Sequence, residues 1–192
     1  MTTLAQNGAR HVFGSYEWLG ATWDYEDDGQ PHPGAVGDDL FRLNDDDGVV
    51  FINGQCQVTM SVAAYNDTNR YDGDDPDKMV YLRGFIDLNN DGDFDDPNEQ
   101  VSYDGDPTTW GGNTHVETFT PTFAYGQPGQ IPIYSRWRFA YGTDLAVITS
   151  PTGLANYGEV EDYLALPEPA TVVLLLGGLG LLARRRRRGG KA

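Results

Sequence analysis

At 192 residues the chain has room for one domain with a sizeable core plus appendages, and its formal net charge is −16. Residues 1–166 hold seven Lys and Arg against 28 Asp and Glu, whereas residues 167–192 hold six basic residues and one acidic. A body this acidic repels phosphate backbones and argues against nucleic acid as a partner. Four Trp, 11 Tyr and eight Phe exclude a solvated, disordered chain, and the single cysteine, Cys56, excludes an internal disulfide.

Residues 1–40 are rich in Gly, Pro, Asp and aromatics without helical periodicity, which predicts loops and short extended pieces. Residues 1–8 have neither a basic start nor an apolar stretch, so an export signal and the first strand of the domain are expected upstream. Over residues 55–64, Cys56, Val58, Met60, Val62 and Ala64 share one face while Gln55, Gln57, Thr59 and Ser61 share the other, which predicts a half-buried strand. The alternation returns in Val80, Leu82, Gly84, Ile86 and Leu88, and again in Ile131, Ile133, Trp137, Phe139 and Tyr141 opposite Tyr134, Arg136 and Arg138. Residues 116–120 and 160–166 are further candidate strands, with Gly, Asn, Asp or Pro clusters between nearly every pair. The expected fold class is all-β, an antiparallel β-sandwich over residues 1–166 with long acidic loops. A single short hydrophobic helix is expected in the separate tail, residues 167–192.

Residues 87–99 are the candidate metal loop. Asp87, Asn89 and Asp91 put side-chain oxygens at positions 1, 3 and 5, with Gly92 at position 6 for a sharp turn. Calcium takes six to eight hard oxygens at about 2.4 Å, and this spacing curls alternate side chains around one ion. The Asp93 carbonyl follows at position 7, and Phe94 is placed to pin the loop to the core. Closure stands open between Asp95 at position 9 and Glu99 at position 13, and Asp96 is expected to point outward. The reading is structural calcium, with a solvated Asp/Asn turn as the alternative; the strand before the loop argues against an EF-hand pair. Residues 24–29 and 45–48 are shorter acidic clusters that read as turns.

Arg136 and Arg138 share one strand face, and Glu159 and Glu161 share one face of a later strand. Pairing of the two strands would set the carboxylates against the guanidiniums in a bidentate ladder; the alternative takes Glu161 or Asp162 to the calcium. The run Gly158-Glu159-Val160-Glu161-Asp162-Tyr163 resembles the signature of the GEVED domain of bacterial surface proteins. Residues 7–11, 19–20, 24–34, 37–39, 45–51, 85–94 and 136–138 are similar to other parts of that domain. The resemblance covers nearly the whole body and implies a calcium-associated β-sandwich of surface proteins.

Pro167, Glu168 and Pro169 are followed by an apolar run over residues 170–183 and then by five arginines from Arg184, Arg185 and Arg186 onward. A helix of 14 residues spans about 21 Å against a hydrocarbon core of about 30 Å, so length alone does not decide a membrane span. The arginine cluster is placed to reach a headgroup layer, on the cytoplasmic side by charge bias, with the body outside. This order is similar to the PEP-CTERM sorting signal, also labelled the ice-binding-protein C-terminal domain after where it was noticed. The resemblance implies an exosortase-type membrane transpeptidase as a partner. It also implies residence in the inner membrane before processing and at the cell surface or outside the cell afterwards.

Material for catalysis is sparse. Cys56 sits on an apolar strand face, His11, His32 and His115 are widely spaced, and no nucleophile elbow, phosphate loop or His/Cys zinc set occurs. The function expected is therefore a surface or extracellular-matrix module, not an enzyme, stabilised by calcium. A calcium-dependent carbohydrate- or surface-binding module, with exopolysaccharide as a partner, is the alternative. In that reading Trp18, Trp23 and Trp110 stack on sugar rings; otherwise they are buried anchors.

Overall fold

The computed structural model describes residues 9–13, 16–22, 46–52, 55–89, 91–121 and 133–165. Among them the chain is almost wholly β. Its strands are β1 (Arg10–Phe13), β2 (Glu17–Leu19), β3 (Val49–Ile52), β4 (Gln55–Val62), β5 (Val80–Ile86), β6 (Gln100–Gly105), β7 (Thr114–Phe119) and β8 (Ile133–Tyr141). A four-residue helix, α1 (Leu145–Ile148), then leads into β9 (Leu154–Tyr157) and β10 (Glu159–Ala165).

One sheet runs β10-β8-β5-β6, antiparallel throughout. The second is centred on β4, which pairs with β7 along one edge and with β2 and β3 on the other. The alternation in the sequence decides which face is buried. Cys56, Val58, Met60 and Val62 of β4 meet Val80, Leu82 and Ile86 of β5 and Trp137 and Phe139 of β8 in one apolar cluster. Each large side chain buried there contributes about 1.5–3 kcal/mol. Phe119 of β7 packs on Trp137 with ring centroids 5.8 Å apart, and the Trp137 indole N–H donates to the Ser135 hydroxyl at 3.0 Å.

The far side of the first sheet is also covered. Tyr81 and Ala140 pack there against Ile148 of α1 and Ala155 of β9. β9 pairs with β1 in parallel, Arg10 opposite Leu154, so the chain is not antiparallel throughout as expected. Five strands, β1, β2, β3, β6 and β9, are not among the candidates the pattern offers: four of them have only three or four residues and too few alternations to stand out, and six-residue β6 sets just Val101 and Tyr103 against polar neighbours before ending in Asp-Gly.

Candidate functional site

The acidic loop is carried between β5 and β6, neighbours in one sheet whose register fixes the two ends of the turn. Two buried carboxylates close its base. Asp87 accepts the Asp91 and Gly92 amides, both at 3.1 Å, and Glu99 accepts the Leu88 amide at 2.8 Å and the Asp96 amide at 3.2 Å. Above them the side chains step upward in two-residue turns. Asn89, Asp91 and Asp93 each accept the amide two residues on, at 3.0–3.3 Å. Gly92 sits at φ 96, the left-handed region the turn demands, and Phe94 packs on Phe85 at 5.9 Å between ring centroids.

At the exposed rim, one carboxylate oxygen each from Asp91, Asp93 and Asp96 lie within 4.8 Å of one another. Asp96 therefore turns into the group, against the expectation that it points outward, and Asp95 falls outside it. The physical reason is local: the Asn89 side-chain amide donates to both Asp91 and Asp96, and Glu99 holds the Asp96 amide from below. Of the residues expected around one ion, Asn89, Asp91 and Asp93 line the rim, whereas Asp87 and Glu99 work from the base on backbone N–H groups. A carboxylate oxygen has two acceptor lone pairs, so those bonds leave it capacity for a cation. The donor set is oxygen only, which fits a hard divalent ion and not zinc.

The expected Arg/Glu ladder does not form, although β8 and β10 do pair. Their register sets Arg138 opposite Val160 and Arg136 opposite Asp162, while Glu159 faces Phe139 and Glu161 faces Trp137. Guanidiniums and glutamates thus lie on opposite faces of the sheet. Arg136 instead grips Asp162 through two bonds, at 2.7 and 2.5 Å. Arg138, fully buried, donates to the carbonyls of Val147, Ser150, Thr152 and Gly153. Its Nε faces His11 Nε2 at 3.4 Å, and His11 Nδ1 lies 2.7 Å from the Tyr157 carbonyl. Burial, and then Arg138, push the His11 pKa down to about 3, so this imidazole is a neutral spacer whose two ring nitrogens face the Tyr157 carbonyl and Arg138.

On the inner face the two glutamates reach across to the β4 sheet. Glu159 accepts the Leu19 amide at 2.6 Å. Glu161 accepts the Asp47 and Gly48 amides at 3.2 Å and the Tyr163 hydroxyl at 2.9 Å, and that hydroxyl accepts the Val49 amide at 2.9 Å. Gly158 opens the run with φ 89, and a Cβ there would lie 1.8 Å from the Phe139 carbonyl oxygen, so only glycine lets β10 start here. These bonds tie the run 158–163 to both sheets. Residues 81–165 match the GEVED domain family. The GEVED match starts in β5 and ends with β10, so it holds both the acidic loop and the signature strand. It is narrower than the resemblance traced from Asn7. No curated protein and no solved structure matches the chain.

Other sequence candidates resolve differently. Cys56 is buried on the core face of β4, and burial pushes its thiol up to about 12. Trp110 is an anchor: its indole N–H donates to Tyr103 at 2.9 Å, and its ring stacks on His115 at 5.2 Å. Trp18 lies on the outward face of β2 beside Ser61. Trp23, His32, Pro167, Glu168, Pro169, Arg184, Arg185 and Arg186 lie outside the described residues, and no helix among the described residues is long and apolar enough to cross a membrane. The pattern gave no sign of the buried Glu17, whose carboxylate takes Arg70 through two bonds at 2.7 and 2.8 Å and the Tyr71 hydroxyl at 2.8 Å. Nor did it point to Asp144, which caps the amides of Asn156 and Tyr157.

Proposed function

We propose that this chain is an exported surface or matrix module, not an enzyme, whose β-sandwich is stabilised by calcium held in the loop over residues 87–99. The observation that carries the reading is the grouping of Asp91, Asp93 and Asp96 above a base closed by buried Asp87 and Glu99. Carboxylates this close repel one another, and a divalent ion cancels that charge while bonding to several of them at once. The tail over residues 167–192 acts as a PEP-CTERM-type sorting signal, with residues 170–183 in the membrane and an exosortase-type transpeptidase as the processing partner.

Thermal melting of the full chain in excess calcium and in chelator tests the metal. Binding to the native state at a hundredfold excess over Kd stabilises by about 2.7 kcal/mol, which raises the melting temperature by roughly 5–10 °C. Asp91→Ala and Asp96→Ala should abolish the rise, and Asp95→Ala should keep most of it. Superimposed curves with and without calcium would reduce the loop to a solvated acidic turn. For the tail, reporters fused to both ends in a host with the sorting machinery should place the body outside the cytoplasm and the arginine cluster inside; the reverse orientation rules the tail reading out.

A further inference from the structure

The outward face of the β4 sheet differs from the rest of the molecule. In a body with 28 acidic residues, every outward position on β2, β3, β4 and β7 is uncharged. Register places Val50, Gln57 and Thr118 in one cross-strand row, and Thr59 and Val116 in the next. Val50, Ile52 and Val116 are 53 %, 42 % and 54 % exposed and share this one face, so aliphatic surface is gathered there. Gln55 donates to Thr120 at 3.3 Å on the same face, and half-buried Trp18 sits at its other end. Each row therefore offers a hydroxyl or carboxamide beside an aliphatic or aromatic surface, with rows about 7 Å apart and strands about 4.8 Å apart. The outward face of the other sheet is unlike this: it carries Arg83, Arg136, Arg138 and Asp162 and is covered in part by α1 and β9.

We infer that this face binds an uncharged polysaccharide. Sugar rings present hydroxyls around their edge and C–H patches on their faces, which matches alternating amide or hydroxyl and aliphatic groups row by row. Charge decides between occupants. A polyanion is repelled by the body, a polycation is drawn to the acidic loops instead, and a second copy brings an equally acidic body against this one. A neutral polymer meets none of these penalties. The face holds no carboxylate, so its binding does not require calcium, and loss of the metal reading leaves this inference standing.

Affinity electrophoresis of the full chain in native gels tests it, with hydroxyethylcellulose or dextran as neutral polymers and alginate as the anionic one. Retardation is expected in a neutral glucan, little changed by added salt or chelator, and absent in alginate. Val116→Asp and Thr118→Asp place a carboxylate where it must be desolvated and should weaken retention about tenfold or more. Thr68→Asp, exposed on a turn outside the face, should leave retention unchanged, and melting curves of all three confirm folding. Four outcomes overturn the inference: no retardation in either neutral glucan, equal retention of Val116→Asp, retardation in alginate alone, or a sedimentation shift with Val116→Asp that marks the face as a contact between copies.

Discussion

Glu161 illustrates how this protein uses its acids, since three donors converge on its carboxylate although it is almost wholly buried. Leaving water costs the charged form more than those donors return, and the nearby Asp47 adds repulsion, so its pKa rises to about 8. A raised folded-state pKa means that Glu161 supports the fold fully below its ordinary value and loses that support as pH rises through about 8. Glu161→Gln is neutral at every pH, so wild type should fall in melting temperature relative to this variant across that window, by about 2–4 °C for each kcal/mol lost. Parallel pH profiles for the two proteins would show that Glu161 is ordinary in the folded state. Cys56 makes the same point for a thiol. Its pKa of about 12 and full burial predict no reaction with a bulky disulfide reagent at neutral pH until the protein unfolds, and rapid labelling of the native chain would contradict the placement of β4.

Between β8 and β10 the sequence showed which residues share a face of each strand, and that part of the fold was legible. Register was not, because a slip of one residue carries every side chain to the other side of the sheet, and nothing in an alternating pattern fixes that parity. The Arg/Glu ladder failed on this point alone. The acidic loop was more legible, since its contacts span at most a dozen residues and follow from Asx turns and glycine. Glu17 with Arg70 and Glu159 with the Leu19 amide join residues 53 and 140 apart, which no local pattern encodes. The clasp at Arg138 can be weighed by substitution. Arg138→Met strips a donor from four carbonyls on the α1–β9 connection and should cost at least about 3 kcal/mol in urea unfolding. Arg83→Ala removes a bridge to half-exposed Asp104 and bonds to the Leu82 and Tyr103 carbonyls near the sheet edge, where water can replace them, and should cost less, about 1–2 kcal/mol. Equal costs would mean that the carbonyl clasp is replaced by water at no loss. Gly158→Ala should be at least as harmful as Arg138→Met, since its Cβ meets a backbone oxygen that cannot move aside.

For the whole molecule, acidity works against compactness as well as for solubility. Self-repulsion in a body with 28 carboxylates and seven cations is long-ranged and screened by salt. In chelator, sodium chloride should therefore raise the melting temperature steadily; with calcium bound, the same salt should raise it less. A salt response that ignores calcium would separate the loop from the global charge. The parallel ribbon of β1 and β9 has a further, kinetic consequence. His11 and Tyr157 are bonded across 146 residues of chain, and the Leu19 amide meets Glu159 across 140. During synthesis from the N-terminus β2 can pair with β4 as soon as residue 62 is made, whereas the β1–β9 ribbon cannot close until Tyr157 has been added. Loop closure over such separations makes folding slow, in the millisecond-to-second range for β proteins of this kind. Closure of the β1–β9 ribbon is therefore among the last steps of folding, because its partner strand lies at the far end of the body.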